Sequence, residues 1–304
     1  MMKQVVSPDT RQKILNLRHA HSLAGVAKLT GLPVGTVKTI CSRSGAFRDN
    51  LAHRALFSLP PIKVSQQTAL VVPELPPKQN MTGDKEIDAV LWLRQVIKTG
   101  QADLIEKAME GAKKIKTPLK ELQERYTKHL VSANPGNWTV VFQTVGFDDL
   151  KSLATGSVQK LTRRNEAQAR FGDAIFSDTD AESFCIGTLT GLTGDGDFGE
   201  YDADKATARF KAHPEVMPNT LSDCMHELSF WRDLFWLRHA ATPEGQYSPE
   251  HHHEVSARDD FVFRCLAHIK PRNKDESIAV LRYLTEEDYM DRTETNDILS
   301  NLIR

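Results

Sequence analysis

The chain has 304 residues with 39 Lys+Arg against 40 Asp+Glu, 40% hydrophobic and 26% charged. That length suffices for two or three domains with a buried core, and that composition excludes a disordered chain. No apolar run approaches the roughly 20 residues a membrane-spanning helix needs, so the sequence predicts a cytoplasmic protein.

The first seven residues, MMKQVVS, carry one basic side chain and no long apolar stretch, unlike a signal peptide. From residue 8 to 50 three short helices are predicted. Asp9 and Thr10 are read as the cap of a first helix whose Ile14, Leu15 and Leu17 form an apolar stripe to about His21. Ser22 restarts a helix through Val26, Ala27 and Leu29, and Gly31 stops it with a left-handed turn. Leu32 and Pro33 open a third, with Val37 and Ile40 facing inward and a stop at Gly45. Residues 1–58 hold nine basic side chains and two acidic ones, a charge of +7. Residues 59–134 carry +3 and residues 135–304 carry −11. A basic head on an acidic body is the pattern of a chain whose one end meets a polyanion.

Residues 22–44 (SLAGVAKLTGLPVGTVKTICSRS) resemble the helix-turn-helix of bacterial DNA-binding proteins. Val26 and Ala27 match the buried aliphatic and the small residue at the helix crossing. Gly31 matches the turn glycine, Leu32 the apolar residue after it, and Val37 and Ile40 the buried face of the second helix. Residues 32–38 are also similar to region 4 of extracytoplasmic-function sigma factors and to the homeodomain-like modules of resolvases. The resemblance covers residues 9–50. It implies that the second helix enters the major groove, with Val34, Gly35, Thr36, Lys38, Thr39 and Ser42 facing base edges. Lys38 is then positioned to donate to guanine and Val34 to pack against a thymine methyl. Lys28, Arg43, Arg48 and Arg54 are the expected phosphate contacts.

Residues 59–83 contain five prolines and are read as a linker, with 69–72 as a short apolar stretch able to form a strand or to dock. Beyond Gly83 helices are predicted over 85–98, 102–114, 117–130 and from Asp148 and Asp149 to Phe171. Residues 138–147 (WTVVFQTVGF) lean towards β, a short buried helix being equally compatible. Further helices are expected over 180–192, 220–241, 256–269, 274–289 and 293–303. The domain reading is 1–58 helix-turn-helix, 59–83 linker, 84–173 helical domain and 174–304 helical C-terminal domain. The expected fold class is mainly α.

Several groupings of potentially reactive side chains fail the spacing that chemistry needs. Cys41, Cys185, Cys224 and Cys265 lie 39 or more residues apart, which makes no CxxC pair, so reduced and packed thiols are expected. The run 195–204 (DGDFGEYDAD) fails the calcium-loop pattern, since Ala206 stands where a bidentate glutamate belongs. It is read as an acidic loop capping the next helix. His226 and His239 lie 13 residues apart, roughly 20 Å along a helix, too far to share one ion. The run 251–254 (HHHE) points its side chains in different directions. No metal and no cofactor are expected, and no P-loop, GxSxG or dinucleotide fingerprint is present. Phe230, Trp231, Phe235, Trp236 and Leu237 make a helix apolar nearly all round, read first as core and second as a dimer face.

The sequence thus predicts a regulator that binds double-stranded DNA, most simply as a homodimer, with a protein partner for the acidic body as a further expectation. A recombinase or nuclease targeted by the head, or a protein-binding adaptor, are the rival readings.

Overall fold

The computed structural model describes residues 6–63, 75–78, 80–194 and 199–303, the side chain of Ala20 aside. The apolar stretch 69–72 and the loop residues 195–198 lie outside them. Among the described residues the chain is mainly α, with fourteen helices, three 3₁₀ segments and no strand. No helix among them is long and apolar enough to cross a membrane.

The helices are α1 (Pro8–Ala20), α2 (Leu23–Thr30), α3 (Val34–Ser44), α4 (Leu51–Leu56), α5 (Lys85–Lys98), α6 (Ala102–Ala112) and α7 (Leu119–Ala133). They continue with α8 (Leu150–Phe171), α9 (Asp180–Leu189), α10 (Ala203–Lys211), α11 (Leu221–Ala241), α12 (His253–Cys265), α13 (Lys274–Glu286) and α14 (Thr295–Ile303). By contact the chain divides into two units. One comprises Met1–Pro60, Phe176–Phe235 and Pro249–Arg304, the other Pro61–Ile175 and Trp236–Ser248.

In the first unit, α1, α2 and α3 pack as a three-helix cluster around Ile14, Val26, Ala27 and Val37, with Leu17, Leu23, Leu32 and Ile40 against them. Ile14, Val26 and Val37 are fully buried, each contributing about 1.5–3 kcal/mol of burial free energy. α1 starts earlier than predicted. Ser7 Oγ accepts from Thr10 N at 3.2 Å, and Pro8 takes the first helical position, where a missing N–H costs nothing. The rest of this unit is built on α11, whose Leu221, Cys224, Leu228, Trp231 and Leu234 are buried.

The second unit has two apolar clusters. Leu93, Val96 and Ile97 of α5 meet Leu104, Ile105 and Ala108 of α6 and Leu150 of α8. Ile87 and Val90 meet Leu122 and Tyr126 of α7 together with Phe147. Gly100, at φ +74°, lets the end of α5 press onto α8, where a Cβ would sit 2.6 Å from the Ser157 carbonyl oxygen. At the described ends of the proline-rich segment, Lys63 N donates to Ala169 O at 2.9 Å and the Trp92 indole N–H donates to Pro76 O at 2.8 Å.

The β reading of residues 138–147 is corrected to a 3₁₀ segment, Trp138–Thr144. The segment has no partner strand, so its backbone groups are satisfied locally. Asn137 Oδ1 accepts from Thr139 N, Val145 N reaches Phe142 O, and Phe147 N reaches Thr144 O. The helical alternative holds in part: Val140 and Thr144 are buried, while Trp138 and Phe142 are 71% and 62% exposed.

Candidate nucleic-acid interface

The local geometry of residues 22–45 follows from a few side chains. Ser22 Oγ accepts from Gly25 N at 3.1 Å and satisfies an orphan donor at the start of α2. Gly31 ends that helix at φ +68°, and the N–H groups of Gly31 and Leu32 both reach Ala27 O. A residue with a Cβ would be strained in this conformation. Pro33 holds the N-cap position of α3, its carbonyl accepting from Thr36 N and Val37 N. The buried pair Val26 and Ala27 faces buried Val37, which fixes how α3 lies across α2.

With Val37 inward, the opposite face of α3 is open. Val34, Gly35, Lys38, Thr39, Ser42 and Arg43 are exposed, and Thr36 is half-buried. Thr39 Oγ1 donates back to Gly35 O at 2.8 Å, which leaves its oxygen outward as an acceptor. Lys28 on α2 and Arg48 beyond α3 are exposed as well. Between Asp9 and Asp49 there are seven Lys or Arg side chains and no acidic one. His19 packs tilted against Phe47 at 4.9 Å between centroids, and burial holds its imidazole below the ordinary histidine range.

Arg54 is placed differently from the other candidates. It lies on α4, a helix the sequence reading did not separate, with its Nε donating to Asp223 Oδ1 at 2.7 Å. Its Nη2 lies 2.7 Å from Ser222 Oγ and 3.1 Å from Asp49 Oδ2. Asn50 caps α4 through its Oδ1, donates from Nδ2 to the Glu215 and Met217 carbonyls, and gives its own N–H to Asp223 Oδ2. Asp49 also meets Arg272 at 2.9 Å and Thr220 Oγ1 at 2.9 Å. Residues 49–54 are thereby fastened to the start of α11 within the same unit.

One turn on, His53 is fully buried, and its Nε2 lies 2.6 Å from Glu227 Oε2. Glu227 accepts from Arg258 Nε at 2.7 Å and from Arg258 Nη2 at 2.9 Å, a two-pronged pair that is also fully buried. The guanidinium lies 5.1–5.8 Å from the ring centroids of Phe57, Phe184, Phe210 and Phe261, a favourable setting for a cation out of water. Burial alone would raise the Glu227 carboxyl, but Arg258 and then His53 overcome it and hold it below the usual range. The sequence hid this group because His53, Glu227 and Arg258 lie on three distant helices. The signal available was a glutamate in the most apolar helix of the chain.

The remaining groupings resolve simply. All four cysteines are free thiols, and burial raises those of Cys185, Cys224 and Cys265. Asp202 caps α10, its Oδ1 accepting from Lys205 N at 2.8 Å. His252 pairs with Asp178 at 2.9 Å, and with Glu182 these are three potential ligands whose donor atoms lie within 4.8 Å of one another. Glu182 Oε2 already accepts from Thr179 N and Oγ1 in a capping box at the head of α9. The two segments are 74 residues apart, beyond the reach of a spacing argument. On α11 Phe230, Trp231 and Leu237 are at most 4% exposed, as the core reading expects, whereas Phe235 is half-buried and Trp236 is 38% exposed. A larger exposed apolar group lies at Trp138, Phe142 and Val145.

No family model, curated protein or solved structure matches this chain.

Proposed function

We propose that this chain is a sequence-specific DNA-binding protein, a transcriptional regulator that acts as a homodimer, with α3 as the helix that enters the major groove. The observation that carries the reading is the outward row Val34, Gly35, Lys38, Thr39, Ser42 and Arg43 on a helix whose inner face packs on a glycine-turned partner. Lys38, Thr39 and Ser42 offer donors and acceptors to base edges, and Lys28, Arg43 and Arg48 supply phosphate contacts around them. Arg54 leaves this set, since its guanidinium is held by Asp223 and Asp49. A single module of this size buries about 600–1,000 Å² on DNA, so useful specificity calls for two copies on two half-sites. The exposed Trp138, Phe142 and Val145 supply apolar surface that self-association would cover.

The test is selection from random duplexes with the full-length protein, followed by sequencing of the bound fraction. An enriched, two-fold related motif supports the proposal. Enrichment that is absent, or unchanged by Lys38→Ala, counts against α3 as the reading helix.

A further inference from the structure

The second unit holds a polar cavity that the helix-turn-helix reading leaves unused. Its volume is about 800 Å³, and it lies between the end of α5, one face of α8 and residues 241–244. From α8 come Ser152, Gly156, Ser157, Lys160 and Arg164, spaced so that they share a side of the helix. α8 carries five basic side chains and one acidic. Lys98 of α5 and Glu244 complete the charged lining.

The cations here are not all accounted for by the protein. Arg164 Nε donates to Ala240 O at 3.0 Å, and its Nη groups have no protein partner among the described residues. The Lys160 ammonium has no hydrogen-bond or ion-pair partner among them either. Lys98 does pair with Glu244 at 3.0 Å, but these side chains are 49% and 78% exposed. Such a pair is worth about 0–1 kcal/mol, so a stronger anion can displace it. Three cations against one carboxylate leave the cavity at +2. The Glu244 carboxyl is held below its usual range, first by its hydrogen bond from Lys98, with Lys160 and Arg164 adding to the positive field. Leu153, Leu161 and Pro243 give the remaining wall an apolar character. A Cβ at Gly156 would meet nothing within 4 Å, so the floor there is open.

We propose that this cavity binds a phosphate monoester of nucleotide size, with Lys160 and Arg164 holding the dianionic phosphate and the apolar wall receiving the ring. A phosphomonoester carries close to two negative charges at neutral pH, which matches the cavity. Its oxygens take the bidentate geometry that a guanidinium offers and a lysine complements as a point charge. The hydroxyls of Ser152 and Ser157 add neutral donors. The inference stands apart from the DNA reading, because no residue of α1–α4 takes part in it.

The experiment is isothermal titration of the full-length protein with adenosine monophosphate, with inorganic phosphate, and with a 20-base-pair duplex of arbitrary sequence. Saturable binding of the monophosphate is expected, weakened at least tenfold by Lys160→Glu and by Arg164→Gln. Gly156→Leu, which fills the floor without changing charge, should abolish it. Lys151→Glu, on α8 but outside the cavity, should leave it unchanged. If the monophosphate does not bind while the cavity variants weaken the duplex, the proposal is overturned in favour of a surface for a nucleic-acid backbone. If inorganic phosphate binds as tightly as the monophosphate, the role given to the apolar wall is overturned. If no probe binds, or binding ignores Lys160→Glu, Arg164→Gln and Gly156→Leu alike, the proposal is overturned. Circular dichroism melts of each variant separate a lost site from a lost fold.

Discussion

Glu227→Gln keeps the shape of the side chain and removes its charge, leaving the Arg258 guanidinium fully buried without a counter-charge at 2.7 Å. Breaking a buried pair from one side costs about 3–5 kcal/mol. The lower end applies here, because the rings of Phe57, Phe184, Phe210 and Phe261 still face the cation and Arg258 Nη2 still reaches Val216 O at 3.1 Å. At about 2–4 °C per kcal/mol for a chain of this class, the melting transition should fall by about 6–12 °C. Arg258→Met removes the other partner, and the double variant should cost much less than the two single losses together, with a coupling of about 2–3 kcal/mol. Differential scanning calorimetry at pH 7 on all four proteins closes the cycle. Single losses below about 1 kcal/mol, or strictly additive ones, would refute the claim that this pair acts as a unit. The same carboxyl sets an acid limit. Its folded pKa lies below its ordinary 4.5, so its stabilisation is complete above that pH and drains away as pH falls through the folded value. Glu227→Gln should therefore flatten the acid side of the stability curve.

Asp259 has the opposite sign: burial, then Asp260 and Glu227, raise its carboxyl to about 7. Its stabilising contribution is complete below the ordinary 3.8 and is lost as pH rises through 7, so Asp259→Asn should gain about 2–3 kcal/mol at pH 8 relative to pH 5. An equal effect at both pH values would contradict that assignment. On the preferred duplex, Lys38→Ala should cost about 1–3 kcal/mol and relax preference at one base pair, whereas Lys28→Ala should weaken all duplexes alike. Binding curves on matched and mismatched duplexes distinguish the two, and sequence-blind losses from both variants would make Lys38 a phosphate contact. Trp138→Ser with Phe142→Ser removes the exposed ring pair, whose centroids are 5.6 Å apart, and should shift the chain towards monomer in light scattering. An unchanged mass would move any dimer contact elsewhere.

Much of the fold is legible in short-range chemistry. Ser22, Gly31 and Asp149 mark helix ends at which a side-chain oxygen or a left-handed glycine satisfies orphan backbone groups, and the helices start and stop there. What was not legible depends on partners far along the chain. α4 has six residues and no apolar stripe, and it is held by Asn50, His53 and Arg54 reaching residues more than 160 positions away. Residues 138–147 are apolar without a period, so sequence alone could not separate a strand from a turn of 3₁₀ helix. The aromatic run of α11 carried no sign of which residues would cover it. Of the candidate interface, the exposed row of α3 followed from its helical period, whereas the diversion of Arg54 into an ion pair with Asp223 required the tertiary fold.

The most direct test of the DNA-binding account is fluorescence anisotropy of a labelled duplex with the full-length protein, titrated at salt concentrations between about 50 and 300 mM. With Lys28, Arg43 and Arg48 as the phosphate-contacting cations of each head, all exposed, about three phosphates are neutralised per copy. The slope of log K against log salt should then lie near about −2.7 per head and about twice that for a dimer on two half-sites. Weakening of the slope by about one in Lys28→Ala is part of the same expectation. A flat salt dependence, or no binding at the lowest salt, would contradict the account.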